Sequence, residues 1–271
     1  MTDLPDDEVE PVEPPPTRDA QLNTFAIRTF RDTADRDYIT ARMAYRATLV
    51  QPFHWSGLHC LEKYAKGICM LNRVPARKAR HEVSSLLALM AKKGPFAVEL
   101  SDGTVEYIKR LEATGRFRYY EVSYYSERFE ITKLDRAVSE LRRYCQPLNI
   151  DDDVDGGSPR NLLKVNLTRI QHAREKAHSD TCIPSGWLED VLSKPDHPAH
   201  EPLEWQNLFF SREPRESVSL KGNWESGNSP LFLHPELLDD VDGLIFLPGE
   251  VRDAWRAELD KRAKAAGGTP S

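Results

Sequence analysis

Residues 52–94 read PFHWSGLHCLEKYAKGICMLNRVPARKARHEVSSLLALMAKKG, and this stretch decides the fold. Its apolar residues recur at steps of three and four, the spacing that places side chains on one side of a helix. They form two runs: Leu58, Leu61, Ala65, Ile68 and Cys69, and then Ala79, Val83, Leu86, Leu87 and Met90. Pro52 suits the first turn of a helix, whereas Gly94 followed by Pro95 ends one. The stretch therefore predicts two packed helices joined by a short turn.

The turn between these two helices is strongly basic. Within nine residues it contains Arg73, Arg77, Lys78, Arg80 and His81. Clustered Lys and Arg side chains attract phosphate groups, so we expect the four cations to bind nucleic acid. The alternative is a solvated helix–helix turn that binds no ligand.

Similar spacing elsewhere extends the two helices into a bundle. It predicts a first helix over residues 35–49 and a fourth helix capped by Thr104. A fifth helix follows, in which Thr132 and Asp135 have the spacing of a capping box. Its apolar stripe is the most regular in the chain: Leu134, Ala137, Val138, Leu141, Tyr144, Cys145 and Leu148. Without convincing strand alternation, the sequence predicts a mainly α protein built on an antiparallel helical bundle.

Composition divides the chain into three parts. Residues 1–22 are rich in Pro, Asp and Glu without apolar periodicity, which predicts a disordered acidic tail. Residues 23–150 form the helical bundle. Residues 151–271 comprise an acidic linker and then short, Trp-rich helices, which carry too little apolar surface to fold separately. We expect this C-terminal extension to pack on the bundle.

Charge is distributed unevenly along the chain. Residues 21–150 carry 22 Lys and Arg against 14 Asp and Glu, a net charge of +8. Residues 151–271 carry 14 against 22, a net charge of −8. Such asymmetry has two explanations: the two folded parts pair their charges with each other, or the basic part presents an anion-binding face.

The remaining composition narrows the class of protein. No apolar run approaches the ~20 residues that a membrane span needs, and the acidic start is unlike a signal peptide. Four scattered cysteines lack metal or disulfide spacing, and Cys60 and Cys69 fall in apolar stripes. We therefore expect free buried thiols, a cytoplasmic location, and neither a metal nor a cofactor.

An aromatic, basic connector precedes the fifth helix. It spans residues 116–125 and contains Arg116, Arg118, Tyr119 and three further tyrosines. Arginines interleaved with aromatic rings are used to hold phosphates and to stack unpaired bases, so we assign Arg116, Arg118 and Tyr119 to nucleic-acid binding. The alternative is that these aromatic side chains belong to the core or to a dimer interface.

Over residues 36–148 the chain resembles the HEPN domain family, a group of small helical bundles. The resemblance rests on three short motifs: LEKYAKG at residues 61–67, HEV at residues 81–83, and RYY at residues 118–120. It implies a homodimer encoded in a toxin–antitoxin, defence or nucleotidyltransferase module. Many members are metal-independent ribonucleases whose Arg-x(4–6)-His motif meets its counterpart at the dimer cleft. The C-terminal half resembles no family.

The sequence departs from the family's catalytic motif. No histidine lies at the required spacing, and Arg77 to His81 leaves three residues between the two. Residues i and i+4 are neighbours on a helix, so Arg77 and His81 form the alternative, displaced catalytic pair. The competing interpretation is that His81 is a structural residue at a helix start.

Three functions follow as expectations. The first is binding of RNA or a nucleotide through the basic face, with a cognate nucleotidyltransferase or antitoxin as the protein partner. The second is a metal-independent endoribonuclease that uses Arg77 and His81. The third is a dimeric protein-interaction scaffold whose charges serve protein contacts only.

Overall fold

A computed structural model describes residues 15–77, 79, 82–117, 120–152, 159–174, 184–213, 215–220 and 225–267. These residues are mainly helical, as predicted. The α-helices are α1 (Arg18–Ala26), α2 (Asp32–Arg46), α3 (Val50–Leu71), α4 (Val83–Lys93), α5 (Asp102–Thr114), α6 (Glu130–Arg142), α7 (Leu163–Arg174), α8 (Trp187–Ser193), α9 (His200–Glu204), α10 (Pro230–Leu233), α11 (Leu238–Leu244) and α12 (Gly249–Gly267). The other segments are a π-helical Ile27–Arg31, a 3-10 turn Pro235–Leu237, and two antiparallel strand pairs, β1 (Tyr124–Ser126) with β4 (Glu225–Gly227) and β2 (Asp151–Asp152) with β3 (Arg160–Asn161).

Helix α3 is the centre of the bundle, because α2, α4, α5 and α6 all pack against it. Every residue of its predicted apolar run is buried: Leu58, Leu61, Ala65, Ile68 and Cys69. Full burial of one such leucine or isoleucine contributes about 1.5–3 kcal/mol. On α4 the buried residues are Val83, Leu86 and Met90, and the helix ends at Lys93 with Gly94 as its C-cap. Both predicted helices are thus confirmed.

The starts of α5 and α6 differ from the predicted ones. The Thr104 backbone N–H donates to Ser101 Oγ over 3.4 Å, so Ser101 is the N-cap and Thr104 is the third helical residue. The prediction of a capping box at the start of α6 is wrong. Thr132 Oγ1 donates to the Phe129 carbonyl over 2.7 Å, and the Asp135 carboxylate is buried in the core. There Asp135 accepts hydrogen bonds from Tyr38 and Arg42 of α2.

The first helix begins earlier than predicted. Thr17 Oγ1 accepts the Ala20 N–H over 3.2 Å, and from Arg18 the backbone is helical through the π segment to Arg46. Residues 18–22 therefore belong to α1, and not to the predicted acidic tail. Residues 1–14 lie outside the described residues.

The extension completes the core of the bundle. Leu188, Val191, Leu203 and Phe210 belong to the same apolar cluster as the buried residues of α3 and α6. The loop before α8 also passes very close to the bundle, since a Cβ at Gly186 would lie 2.8 Å from Arg31 Nη2. The extension and the bundle therefore share one core.

Two buried arginines tie the extension to the bundle. Arg42 Nε donates to the Pro202 carbonyl over 2.8 Å, and a second guanidinium nitrogen reaches the Trp205 carbonyl. Arg142 binds Asp35 through two nitrogens, at 2.8 and 2.9 Å, and Glu189 of α8 at 2.5 Å. Burial lowers the pKa of Arg142, but the charges of Asp35 and Glu189 outweigh it and raise that pKa, so the guanidinium stays protonated.

The last part of the chain packs on the aromatic connector. Phe117 and Tyr124 are buried against Val251, and Trp255 Nε1 donates to the Glu121 carbonyl over 3.0 Å. Strand β1 also lies in the connector and pairs with β4. The described aromatic residues of the connector therefore find partners within one chain. Tyr125 is still 45% exposed, with the Arg110 guanidinium 4.3 Å from its ring centroid. The homodimer stays a prediction.

Candidate nucleic-acid interface

Helix α3 ends in a Schellman motif that places Arg73 in a strained backbone position. The Val74 N–H donates to the Cys69 carbonyl over 2.8 Å, and the Arg73 N–H donates to the Met70 carbonyl over 3.0 Å. Arg73 has a φ of 56°, in the left-handed region that glycine usually occupies. The backbone at Arg73 therefore directs the chain out of α3 into the basic turn.

The Arg73 side chain already holds an anionic group. Its Nη2 lies 2.9 Å from Asp19 Oδ1 on α1, and its Nη1 donates to the Met70 carbonyl over 3.0 Å. The Asp19 side chain is 81% exposed, so water and salt screen this ion pair. A carboxylate thus sits where a phosphate oxygen could bind the same guanidinium.

A groove of about 670 Å³ runs beside the turn, between α1, the π segment and the end of α3. Its apolar walls are Leu22, Phe30, Met70, Val74, Pro75, Ala76 and Ala79. Three cations border it: Lys66, Arg73 and Arg77. We call this feature the basic groove.

The three cations of the basic groove differ in their availability. Lys66 pairs with Glu62 one helical turn earlier, and Arg73 pairs with Asp19. Arg77 is exposed and has neither an ion pair nor a hydrogen-bond partner among the described residues. Arg77 is therefore the cation of the groove that is free to bind a ligand.

The predicted site residue Arg116 lies at the opposite end of α3. Gln51, at the start of α3, donates to the Phe117 carbonyl over 3.4 Å. From Gln51 to Met70 the helix rises about 28 Å. Arg116 Nη2 lies 2.6 Å from Glu250 Oε2 on α12, so its charge is neutralised within the chain. Arg116 and the basic groove do not share a face.

The other predicted site residues are Lys78, Arg80, His81, Arg118 and Tyr119, and they lie outside the described residues. Their assignment to nucleic-acid binding, and the displaced catalytic pair of Arg77 and His81, stay predictions.

A buried histidine that sequence reasoning missed lies inside the bundle. His54 Nε2 is 3.3 Å from Glu130 Oε2, and Arg110 Nε is 3.0 Å from the other oxygen of this carboxylate. Burial raises the pKa of Glu130, but the hydrogen bond and charge of His54 and the charge of Arg110 outweigh it and lower that pKa. The His54 side chain is only 1% exposed, so this group lies in the interior and does not meet a ligand.

A second cavity, of about 430 Å³, lies between α5 and α6. Arg110, Lys133 and Arg136 line it, together with the buried Tyr107. Glu127 accepts hydrogen bonds from Arg110 and from Lys133, each at 2.6 Å. The hydrogen bond from Lys133 is the main cause that lowers the pKa of Glu127. Because carboxylates neutralise two of its three cations, this cavity is a weaker anion site than the basic groove.

The described ranges contain no group of three or more His, Cys, Asp and Glu side chains arranged to hold a metal ion. They also contain no helix with both the length and the apolar character needed to cross a bilayer. Cys60, Cys69 and Cys145 are free and buried. Comparisons of the chain with protein-family models, with curated proteins and with solved structures found no match.

Proposed function

We propose that the basic groove binds an RNA strand or a nucleotide. Arg77 carries this proposal, because it is an exposed cation without an acidic partner among the described residues, and it borders an apolar groove. Ligand sites of ~300–1,000 Å³ commonly combine apolar walls with a few charged groups that orient the ligand. Phosphates bind Arg77 and Arg73, and a base lies against the apolar wall near Phe30.

The ion pair between Arg73 and Asp19 supports the same assignment. Arginine forms charge-assisted hydrogen bonds with carboxylates and with phosphates in similar geometry. Asp19 is mostly exposed, so a phosphate can displace its carboxylate at little cost in buried contacts. Release of counterions from the nucleic acid adds to the affinity.

The HEPN-like character of the bundle belongs to this proposal, together with what it implies. These implications are a role in a toxin–antitoxin or defence module, a homodimer, and a nucleotidyltransferase or antitoxin as the partner. They rest on the three short motifs within residues 36–148. RNA binding by the groove rests on Arg73 and Arg77 and stands without them.

Fluorescence anisotropy with a short labelled single-stranded RNA tests the proposal. The variant Arg77→Ala removes one phosphate contact, so affinity should fall about tenfold, or about 1.4 kcal/mol. The slope of log K against log salt should become shallower by about 0.7, the value for one phosphate contact on a single strand.

The matched control is Arg116→Ala at the opposite end of α3. Arg116 is also an exposed arginine, but Glu250 neutralises it, so this variant should bind RNA as the parent does. Equal losses in the two variants would indicate a diffuse electrostatic attraction. If the parent at low salt bound neither this RNA nor a labelled nucleotide, the proposal would be refuted.

A further inference from the structure

The C-terminal part of the chain carries an exposed apolar segment. Leu244, Ile245 and Phe246 are 85%, 51% and 83% exposed. They follow one another directly at the end of α11, between Leu238 and Leu247, which are both buried. Three consecutive large apolar side chains in water are unusual on a monomeric surface and indicate a contact site. We call this segment the apolar tip.

Acidic residues precede the apolar tip. Helix α11 carries Asp239, Asp240 and Asp242 in its seven residues. Asp239 pairs with Arg256 at 3.5 Å and Asp242 with Arg252 at 3.1 Å, whereas Asp240 has no ion-pair partner among the described residues. The apolar tip is therefore an exposed apolar segment that directly follows the acidic side chains of α11.

The basic groove has the complementary properties. Its walls are apolar, and its border carries Lys66, Arg73 and the unpaired Arg77. We infer that the apolar tip of one copy of this chain docks in the basic groove of a second copy. Leu244 and Phe246 enter the apolar part of the groove, and Asp240 faces Arg77, the two charges that lack an ion-pair partner among the described residues.

The contact forms between copies, not within one chain. The tip is part of a unit that packs on Phe117 and Tyr124 through Val251 and Trp255, near the start of α3. The basic groove lies near the end of α3, about 28 Å further along the helix. Phe246 lies five positions before Val251, and a chain of that length spans at most about 18 Å. The tip cannot reach its own groove in this arrangement.

Such a contact is heterologous, because it joins two different patches. A two-fold dimer would bury the same patch twice, whereas a tip-to-groove contact leaves one free tip and one free groove at its ends. We therefore expect the average mass to rise continuously with concentration, as rings or open chains form. A small contact of this kind gives association in the micromolar range.

This inference does not depend on RNA binding, although both use the basic groove. The two activities should compete: saturating RNA occupies the groove and lowers the average mass of the assembly. An assay without RNA tests self-association alone, so failure of one proposal leaves the other intact.

Analytical ultracentrifugation of the full chain tests the docking. The variant Phe246→Asp blocks the tip, and Arg77→Glu blocks the groove by charge reversal. Both positions are exposed, so neither change disturbs the core. Each variant alone should keep a constant mass over the concentrations at which the average mass of the parent rises.

Mixing the two variants is the decisive measurement. Phe246→Asp retains an intact groove and Arg77→Glu retains an intact tip, so the mixture should form one-to-one heterodimers that grow no further. Tip-to-tip association would instead leave Arg77→Glu as associated as the parent, and would refute the inference. A parent that stays monomeric at all accessible concentrations would also refute it, and would assign the tip to a different protein.

Discussion

Arginine has opposite surroundings in two regions of this molecule. At the interface between bundle and extension, Arg42 and Arg142 are almost completely buried, and carboxylates and carbonyl oxygens bind their guanidinium groups. At the basic groove, Arg73 holds one exposed carboxylate, and Arg77 is unpaired among the described residues. The first pair joins two parts of one chain. The second pair is where we propose that a ligand binds.

The comparison shows why net charge alone does not identify a binding face. The excess positive charge of residues 21–150 is partly neutralised by the excess negative charge of residues 151–271. The ion pairs that cross between the two segments include Arg46–Glu201, Arg116–Glu250 and Arg142–Glu189. Intramolecular pairing thus accounts for these cations. The proposed anion-binding face therefore depends on cations such as Arg77, which has no acidic partner among the described residues.

The largest effect is expected from Arg142→Met. Methionine keeps most of the apolar volume but leaves Asp35 buried without its bidentate partner. Removal of one member of a buried ion pair typically costs about 3–5 kcal/mol. We expect a loss of this size in the free energy of unfolding, measured by urea denaturation, and an earlier release of the extension, measured by proteolysis near α8.

Two controls sharpen this prediction. Adding Asp35→Asn to Arg142→Met removes the buried carboxylate that has lost its arginine partner, so the double variant should regain part of the lost stability. Arg77→Ala removes an exposed arginine without a partner and should change stability by less than about 0.5 kcal/mol. Equal losses for Arg142→Met and Arg77→Ala would contradict the division into two regions.

A smaller effect is expected from Tyr38→Phe at the Arg42 site. Tyr38 Oη donates to Asp135 Oδ1 over 2.6 Å and accepts from Asn207 Nδ2 over 2.9 Å, which links α2, α6 and the extension. Loss of this hydroxyl should destabilise the protein by about 1–2 kcal/mol in urea.

The matched control is Tyr107→Phe. The Tyr107 hydroxyl is equally buried, but it has no hydrogen-bond partner among the described residues. Its removal should leave stability unchanged or slightly higher. If Tyr107→Phe were as destabilising as Tyr38→Phe, then loss of buried hydroxyl packing rather than of the hydrogen bonds would explain both results.

Sequence reasoning succeeded where structure depends on neighbours along the chain. The apolar spacing of α3 and the Gly94 stop are local signals, and both are confirmed. The buried ion pairs are not local, since Asp35 and Arg142 lie 107 positions apart in the sequence and Arg42 and Asp135 lie 93 positions apart. Asp135 was assigned to a helix cap because its spacing from Thr132 fits one, whereas burial beside Arg42 decides its role.

At the candidate site, too, the sequence predicts the local features but not those that depend on distant segments. The basic turn is visible as a run of cations, so Arg73 and Arg77 could be proposed from sequence. The sequence does not show which cations are already paired. Asp19, the partner of Arg73, and Glu250, the partner of Arg116, are contributed by distant segments of the chain. In the sequence the apolar tip is part of a run of four consecutive apolar residues, 244–247, and most such runs are buried.

The smallest effect on stability is expected from Arg73→Gly. Glycine adopts the left-handed φ of 56° without strain, which should stabilise the turn by about 1 kcal/mol. The variant also loses the exposed ion pair with Asp19, which is worth about 0–1 kcal/mol. The two changes nearly cancel, so the free energy of unfolding in urea should stay within about 0.5 kcal/mol of the parent value.

Arg73→Gly therefore separates the backbone role of this position from its charge. RNA affinity should fall, with a salt slope shallower by about 0.7, although stability is unchanged. The companion variant Arg73→Val lacks both the charge and an easy left-handed conformation, so it should bind RNA equally weakly and also unfold more easily, by about 1–2 kcal/mol. If Arg73→Gly instead destabilised the protein as much as Arg73→Val, the guanidinium contacts to Asp19 and Met70 would hold the turn. The basic groove would then resemble the buried interface, with its arginine serving the fold rather than a ligand.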